Sequence, residues 1–454
     1  TLANQVIKDN GGTATGDEWT LTAAGLAGFS GTGPSVSNKP DFIAGTYTLT
    51  QSSVAGYTAS SWVCVGGTQL DGNTISLALG DVATCTITND DITPTLTVFK
   101  NITNDSGGTE TNENAFGLKV DDANVLHGVP NDFDAGAHTV SELGLPGYQA
   151  GNWSGACAAD GSVSLELAQQ ATCTITNNDI SPTITVLNTI IRDSGGTETD
   201  PDAFGLKVDG GVVSDSVTNN FDAGAHTVSA AGVTGYAASI WGGDCAPDGS
   251  VTLALDQDAI CTITHDDISP TITVVKTIIN DNGGAIDDPN AFGLKVNGGI
   301  VLDSATNAFD AGVEHTVSED GLPFYAAGVW GGDWAANGTI TLSLAEDATC
   351  TITNDDTDET SLTLRKSVVN DNGGDALASE WTLTASDPNG ILDGFFGNDE
   401  GSGVSNGADF SAGIYDLSES GGPGGYAASE WVCTGNGTQM DGDTISLELG
   451  DVAT

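Results

Sequence analysis

Positive charge is scarce in this chain. Ten lysines and arginines stand against 62 aspartates and glutamates over 454 residues, a formal net charge of −52. That balance repels phosphate backbones and anionic lipid surfaces, so nucleic acid is excluded as a partner. No apolar run approaches the roughly 18 residues of a membrane-spanning helix, which excludes membrane insertion by a helix. Cys-x-x-Cys and clustered Cys/His spacings are missing, so no zinc or other metal centre of that kind is expected. Only five histidines occur, and no nucleophile and base converge, so the chain does not read as an enzyme. Gly403-Val-Ser405-Asn-Gly407 fits a hydrolase pattern, but it lies in a Gly/Ser loop with no helix to follow. Sustained helical periodicity is lacking as well, and 62 glycines punctuate the chain.

What is present is one phrase repeated about every 90 residues. An apolar strand closes on Asn/Asp-x-Gly-Gly. Phe-x-Ala-Gly, Gly-Tyr, Trp with Cys, and Cys-Thr-Ile-Thr-Asn follow in turn. The Gly-Gly pairs stand at 11/12, 107/108, 195/196, 283/284 and 373/374. Each copy is long enough for a single small core, so five beads are expected at 1–91, 92–179, 180–267, 268–356 and 357–454. The first and fifth beads share Glu-Trp-Thr-Leu-Thr-Ala and Gly-Asp-Val-Ala-Thr and carry longer Gly/Ser-rich insertions, 24–40 and 386–408. The fifth stops where the first continues Cys85-Thr-Ile-Thr-Asn89. These features suggest a four-bead super-repeat that has begun again, a window on something longer. No charged-then-apolar leader opens the chain at Thr1.

Runs such as Leu96–Lys100, Phe116–Val120, His138–Glu142, Ser162–Leu167 and Cys173–Asn177 alternate or nearly alternate apolar with polar residues, the period of a half-buried strand. Turn residues separate them. The fold class expected is all-β: a tandem array of small antiparallel β-sandwiches of prealbumin or immunoglobulin-like kind. Linkers such as Asp90–Pro94, Asn178–Pro182, Asp266–Pro270 and Asp355–Glu359 are too short for slack tethers, so an elongated rod is expected.

Strand parity isolates three polar residues. In the second bead Lys100 shares a face with Leu96 and Val98, Glu142 with His138 and Val140, and Asn177 with Cys173 and Ile175. The fourth bead repeats this with Lys276, Glu319 and Asn354. The third has Asn188, Ala230 and His265 at these places, all three replaced together. Asn4 and Gln51 stand in the first, and Lys366 and Glu419 in the fifth. A second lysine series, Lys119, Lys207 and Lys295, survives in the third bead and reads as solvated strand residues.

With a first-strand Lys, a Glu shortly before Gly-Tyr (Glu142 to Tyr148) and a last-strand Asn, the chain resembles the prealbumin-like, Cna B-type (SpaA-like) repeats of bacterial pilins and surface adhesins. The resemblance extends over essentially the whole chain. It implies an intramolecular isopeptide bond between Lys and Asn, assisted by Glu, for Lys100, Glu142, Asn177 and for Lys276, Glu319, Asn354. Burial is compatible with that chemistry, because it favours the neutral, nucleophilic amine and a protonated carboxyl. The residues equally permit a buried Lys–Glu pair hydrogen-bonded to Asn.

Eight cysteines at matching positions point to an oxidising, extracellular setting, secreted or at the cell surface. The expected bridges are Cys64–Cys85, Cys157–Cys173 and Cys245–Cys261, each adding on the order of 3 kcal/mol. Trp334 occupies the first position in the fourth bead and leaves Cys350 unpaired. Cys433 is unpaired because no partner follows it before Thr454. Acidic loops (Asp90, Asp91, Asp105; Asp266, Asp267, Asp281) could gather Ca²⁺ at bead junctions, but no Asp-x-Asp-x-Asp-Gly loop occurs and a solvated acidic surface is the better reading. No other cofactor is implied. Trp62, Trp153, Trp241, Trp330 and Trp431 could stack on sugars, but their fixed place beside the first cysteine fits edge packing better. His138, His226 and His315 take the place of Tyr47 and Tyr415, as strand residues do. Asn101, Asn104, Asn152, Asn337 and Asn436 open N-glycosylation acceptor triplets.

The function expected is an extracellular structural fibre or adhesin stalk that self-associates or attaches to the cell surface. The alternative is a glycan- or surface-binding adhesin that uses the insertions of the first and fifth beads.

Overall fold

The computed structural model describes residues 1–357 and 359–454. Asp358, within the fourth expected linker, lies outside the described residues. Among the described residues the regular structure is β-strand, interrupted by single 3₁₀ turns.

The second bead shows the plan. Thr95–Thr103 runs parallel to the last strand, Gln170–Asp179, with Val98 opposite Cys173 and Lys100 opposite Ile175. Pro130–Asp132 flanks this pair on one side, and Tyr148–Ala150 and Ser154–Gly155 on the other. The facing sheet orders Ala123–Asn124, Leu118–Val120, Gly136–Glu142 and Ser162–Leu165, all antiparallel. Between the sheets Leu96, Val98, Leu118, Val120, Val140 and Ile175 are buried, and their removal from water holds the layers together. The fourth bead repeats the parallel pair with Thr271–Ile279 and Asp347–Asp356, and the first with Leu2–Ile7 and Thr84–Asp91. In the fifth, Ser361–Leu364 pairs in parallel with Val452–Ala453. The all-β sandwich class therefore stands, with one parallel pair inside otherwise antiparallel sheets. Strand periodicity reveals faces but not the direction of a partner, so this pair was not readable in advance.

Three local features differ from the expected strands. Phe116 closes a 3₁₀ turn, Glu113–Phe116, Gly117 at φ +63° caps it, and the strand begins only at Leu118, so Phe116–Val120 is a turn and a short strand. The aspartates of the first linker belong to the last strand, which leaves only Ile92, Thr93 and Pro94 between sandwiches. The insertions are not loose loops. Phe29–Thr32 extends one sheet of the first bead and Ser35–Val36 the other, and Phe395–Asn398 and Val404–Ser405 do the same in the fifth.

By density of contacts the chain forms two compact units. The first comprises Thr1–Leu187, Leu206–Ser229 and Trp241–Thr262, and the second Asn188–Gly205, Ala230–Ile240 and Ile263–Thr454.

Candidate functional site

The inward row of the first strand carries Lys100 past Leu96 and Val98 into the sandwich, where it is 1% exposed. Its Nζ donates to Glu142 Oε2 at 2.5 Å, and the other oxygen, Oε1, accepts from Asn177 Nδ2 at 2.7 Å. One carboxylate thus bridges the amine and the carboxamide nitrogen. The fourth bead reproduces the arrangement: Lys276 Nζ to Glu319 Oε2 at 2.5 Å and Asn354 Nδ2 to Oε1 at 2.7 Å. Asn177 and Asn354 are 0% exposed, and their Oδ1 atoms have no hydrogen-bond partner. A buried orphan acceptor is costly, and it marks the carboxamide as the incompletely satisfied member of the set. Burial pushes both lysine amines below their usual value, opposed by the hydrogen bond and charge of the partner glutamate.

The sequence reading missed an aromatic lid over each amine. Lys100 Nζ lies 4.1 Å from the centroid of Phe116, Lys276 Nζ 4.3 Å from Phe292, and Lys366 Nζ 4.8 Å from Trp381. These rings meet the Gly-Tyr tyrosine edge-on, as Phe116 does Tyr148 at 5.4 Å. The recurrence of Phe or Trp before the second strand was visible. That it folds over the first strand required the 3₁₀ turn.

Elsewhere the same position is chemically different. In the third bead His265 Nδ1 lies 2.8 Å from Asn188 Oδ1, and its ring stacks on Phe204 at 4.2 Å. Burial lowers its pKa and keeps it neutral. In the first bead Asn89 donates to Asn4 and Gln51, both at 2.8 Å, and Gln51 returns a 2.6 Å bond. The fifth bead pairs Lys366 with Glu419. The second lysine series lies outside these cores: Lys119, Lys207 and Lys295 are half-buried, and Lys295 pairs with Asp320 at 2.5 Å.

Disulfides join Cys64 to Cys85, Cys157 to Cys173 and Cys245 to Cys261. Cys350 is a buried thiol, pushed up to about 12 by that burial, and Cys433 is a half-buried one. Trp334 packs in the core that contains Cys350. Trp62 and Trp153 are buried, and Trp241, Trp330 and Trp431 are half-buried against the sandwiches. Ser405 pairs in a short strand with its Oγ 2.9 Å from that of Thr363.

The junction acids group differently from their order along the chain. Asp90 and Asp91 meet Asp9, Asp266 and Asp267 meet Asp193, and Asp281 meets Asp355 and Asp356. Asp105 instead offers its backbone N–H to Asp179 at 3.0 Å. The last-strand aspartates cap the Gly-Gly loops: Asp91 accepts from Gly12, Asp179 from Gly108, Asp267 from Gly196 and Asp356 from Gly284, at 2.6 to 2.7 Å. Burial opposes the charge on Asp91 and Asp179, but these backbone donors outweigh it and hold both carboxyls below their usual value.

A family model described as a prealbumin-like fold domain matches the chain five times, over residues 1–87, 91–175, 179–263, 267–352 and 357–454. Solved structures similar to it include the TIE protein of Bacillus anthracis, at 12% identity and TM-score 0.37, covering 75% of this chain and 68% of that one. Two B repeat units of the collagen-binding protein of Staphylococcus aureus match at 14% identity and TM-score 0.18, covering 78% and 98%. The major pilin T-13 of Streptococcus pyogenes matches at 14% identity and TM-score 0.18, covering 39% and 96%. No curated protein matches the chain. Among the described residues no helix is long and apolar enough to cross a membrane.

Proposed function

Because the chain belongs to the prealbumin-like fold domain family, we propose that it is a structural segment of an extracellular fibre or adhesin stalk. Its beads, bounded at 1–91, 92–179, 180–267, 268–356 and 357–454, self-associate or attach to a cell surface and do no chemistry on other molecules. The second and fourth beads are cross-linked internally, Lys100 to Asn177 and Lys276 to Asn354.

The reading is carried by the single carboxylate that touches both reacting groups in a dry core. Glu142 takes a proton from the Lys100 amine, and the freed lone pair attacks Asn177 Cγ. The bond from Cγ to Nδ2 breaks while the carboxyl hands the proton to the departing nitrogen, ammonia leaves, and the carboxylate takes the second proton from the former amine nitrogen, which becomes a neutral amide. Burial lowers the cost of the neutral amine, and Phe116 shields it from water. The amide that forms ties the first strand to the last, the two strands at which tension on the chain would enter and leave each sandwich.

Intact mass measurement of the full chain under denaturing conditions tests this. Two ammonia molecules are lost if the reading is right, and one if Glu142→Gln blocks the second bead. A full calculated mass in the parent chain ends the cross-link. A second reading, ligand binding by the insertion of the first bead, is favoured by a cleft of about 240 Å³ lined by Phe29, Asn38, Phe42, Tyr47 and Leu49. A glycan array probed with the full chain would retain it on specific sugars under this reading and on none under the scaffold reading.

A further inference from the structure

Two motifs that define the repeat, Asn/Asp-x-Gly-Gly and Phe-x-Ala-Gly, take no part in the cross-link. They meet each other across bead boundaries. The backbone N–H groups of Ala135, Ala223, Ala311 and Ala412 donate to the carbonyls of Asn10, Ser106, Ser194 and Asn282 in the preceding bead, at 2.8, 2.7, 2.8 and 3.0 Å. The glycine after each acceptor, Gly11, Gly107, Gly195 or Gly283, sits at φ +85° to +95°. A Cβ there would fall 2.5 Å from the Ala135 carbonyl oxygen and 2.6 Å from that of Ala223, and closer still at Ala311 and Ala412. Only glycine permits this approach.

Both halves are braced. The Gly-Gly loop is capped by the last-strand aspartate described above. The Phe-x-Ala-Gly turn is held by a ring from the adjoining strand: Nε2 of His138, His226 and His315 lies 2.8, 2.7 and 2.8 Å from the carbonyls of Asp134, Asp222 and Asp310. Tyr415 Oη donates to Ser411 in the same way at 2.7 Å.

A second contact lies beside the first. Gly147 and Gly235, which precede the Gly-Tyr tyrosine, face Leu255 and Leu344 of the next bead so closely that a Cβ would fall 2.6 and 2.5 Å from the leucine Cβ, and Gly56 faces Leu167 closer still. The linker is strapped between them: Ile92 donates to Gly56 and accepts from Ala168, both at 2.8 Å. The fourth junction departs from this rule on both sides at once. Phe324 replaces the glycine, and Gly450 stands where the second, third and fourth beads have Ala168, Asp256 and Ala345, all at positive φ; the first bead, of the same long type as the fifth, also has glycine there, Gly80. A Cβ on Gly450 would strike the Phe324 ring. Thr357 still donates to the Phe324 carbonyl, at 2.8 Å.

We infer that these contacts form a keyed joint, a docking surface whose partner is the neighbouring copy of the same domain, and that the Phe324–Gly450 pair determines which type of bead can follow the fourth. A large residue on one side is matched by the loss of a side chain on the other, as complementarity at a packed interface requires. The inference stands apart from the cross-link, since none of its residues belongs to the Lys, Glu and Asn sets.

Hydrogen exchange of the full chain, followed by mass spectrometry, tests it. The amides of Ala412 and Thr357 should be protected in the parent chain. Gly450→Ala should speed their exchange by about tenfold, the usual consequence of overpacking a close contact. Adding Phe324→Gly to Gly450→Ala restores the geometry of the other joints and should return protection. Leu417, bonded within the fifth bead to Asp443, should keep its protection throughout. Should Leu417 also lose protection, Gly195→Ala read at Ala311 replaces the test, with the same tenfold expectation. Unprotected alanine amides in the parent chain, or a double variant as fast as the single one, would overturn the keyed joint.

Discussion

The second and third beads share a strand plan and a disulfide but differ at one buried triangle. Where the second has an amine and a carboxamide bridged by one carboxylate, the third has a carboxamide and a neutral imidazole beneath a ring. Both reduce the cost of polar groups in a dry core by hydrogen bonding them to one another, although Asn177 Oδ1 and His265 Nε2 stay without a partner. Only the second holds a nucleophile, a leaving group and a proton carrier together. The sandwich therefore does not need the reactive set in order to fold, which separates stability of the fold from chemistry placed within it. The first bead agrees, with three amides in the same space.

The largest expected break in that comparison is Glu142→Ala. It strands Lys100 and Asn177 without a partner, and removing one member of a buried pair costs about 3–5 kcal/mol. The variant should retain its ammonia in the second bead and unfold at lower denaturant. An unchanged midpoint with ammonia still lost would show that Glu142 does neither job. Next, Asn188→Lys, Ala230→Glu and His265→Asn together transplant the set into the third bead. The chain should then lose one further ammonia, and the new tie should add about 4 kcal/mol by loop-closure reckoning. A transplanted bead that folds yet keeps its full mass would mean that the triangle alone is insufficient. Third, Trp334→Cys in the fourth bead should bridge to Cys350 and contribute on the order of 3 kcal/mol, less the packing lost with the indole. Thiol titration after unfolding should find one free cysteine instead of two, whereas three would refute the pairing.

The smallest effect concerns pH. Burial disfavours the charged form of His138 and His226, but their bonds to Asp121 and Asp209, with those to the carbonyls of Asp134 and Asp222, outweigh it and raise both pKa values. A raised folded value means stability present in full below the ordinary value near 6.5 and lost as pH climbs through the raised one. Denaturant midpoints of the parent and of His138→Gln, measured across that window, should differ in pH dependence, the variant losing part of the parent's fall. Equal slopes in the parent and the variant would contradict the assignment.

Much of the site was legible because strand parity is strict. Lys100, Glu142 and Asn177 each fall on a row of buried aliphatic residues, and a period of two leaves no other face for them. The aromatic lid was not legible, since Phe116 reaches Lys100 only through a turn that breaks the strand pattern. The junction aspartates were misgrouped for a related reason. Asp91 and Gly12 are 79 positions apart, and nothing along the chain says that the end of the last strand returns beside the first Gly-Gly loop.

The sequence by itself determined the repeat, the all-β class, the inward rows and the matching cysteine positions, because periodicity and copy number are properties of the chain. Tertiary structure decided which inward residues touch, that first and last strands run parallel, and that the glycine motifs fit the bead next door. Those are matters of distance between remote segments, fixed only when the layers close and each approach is limited by the side chain, or its absence, on the opposite surface.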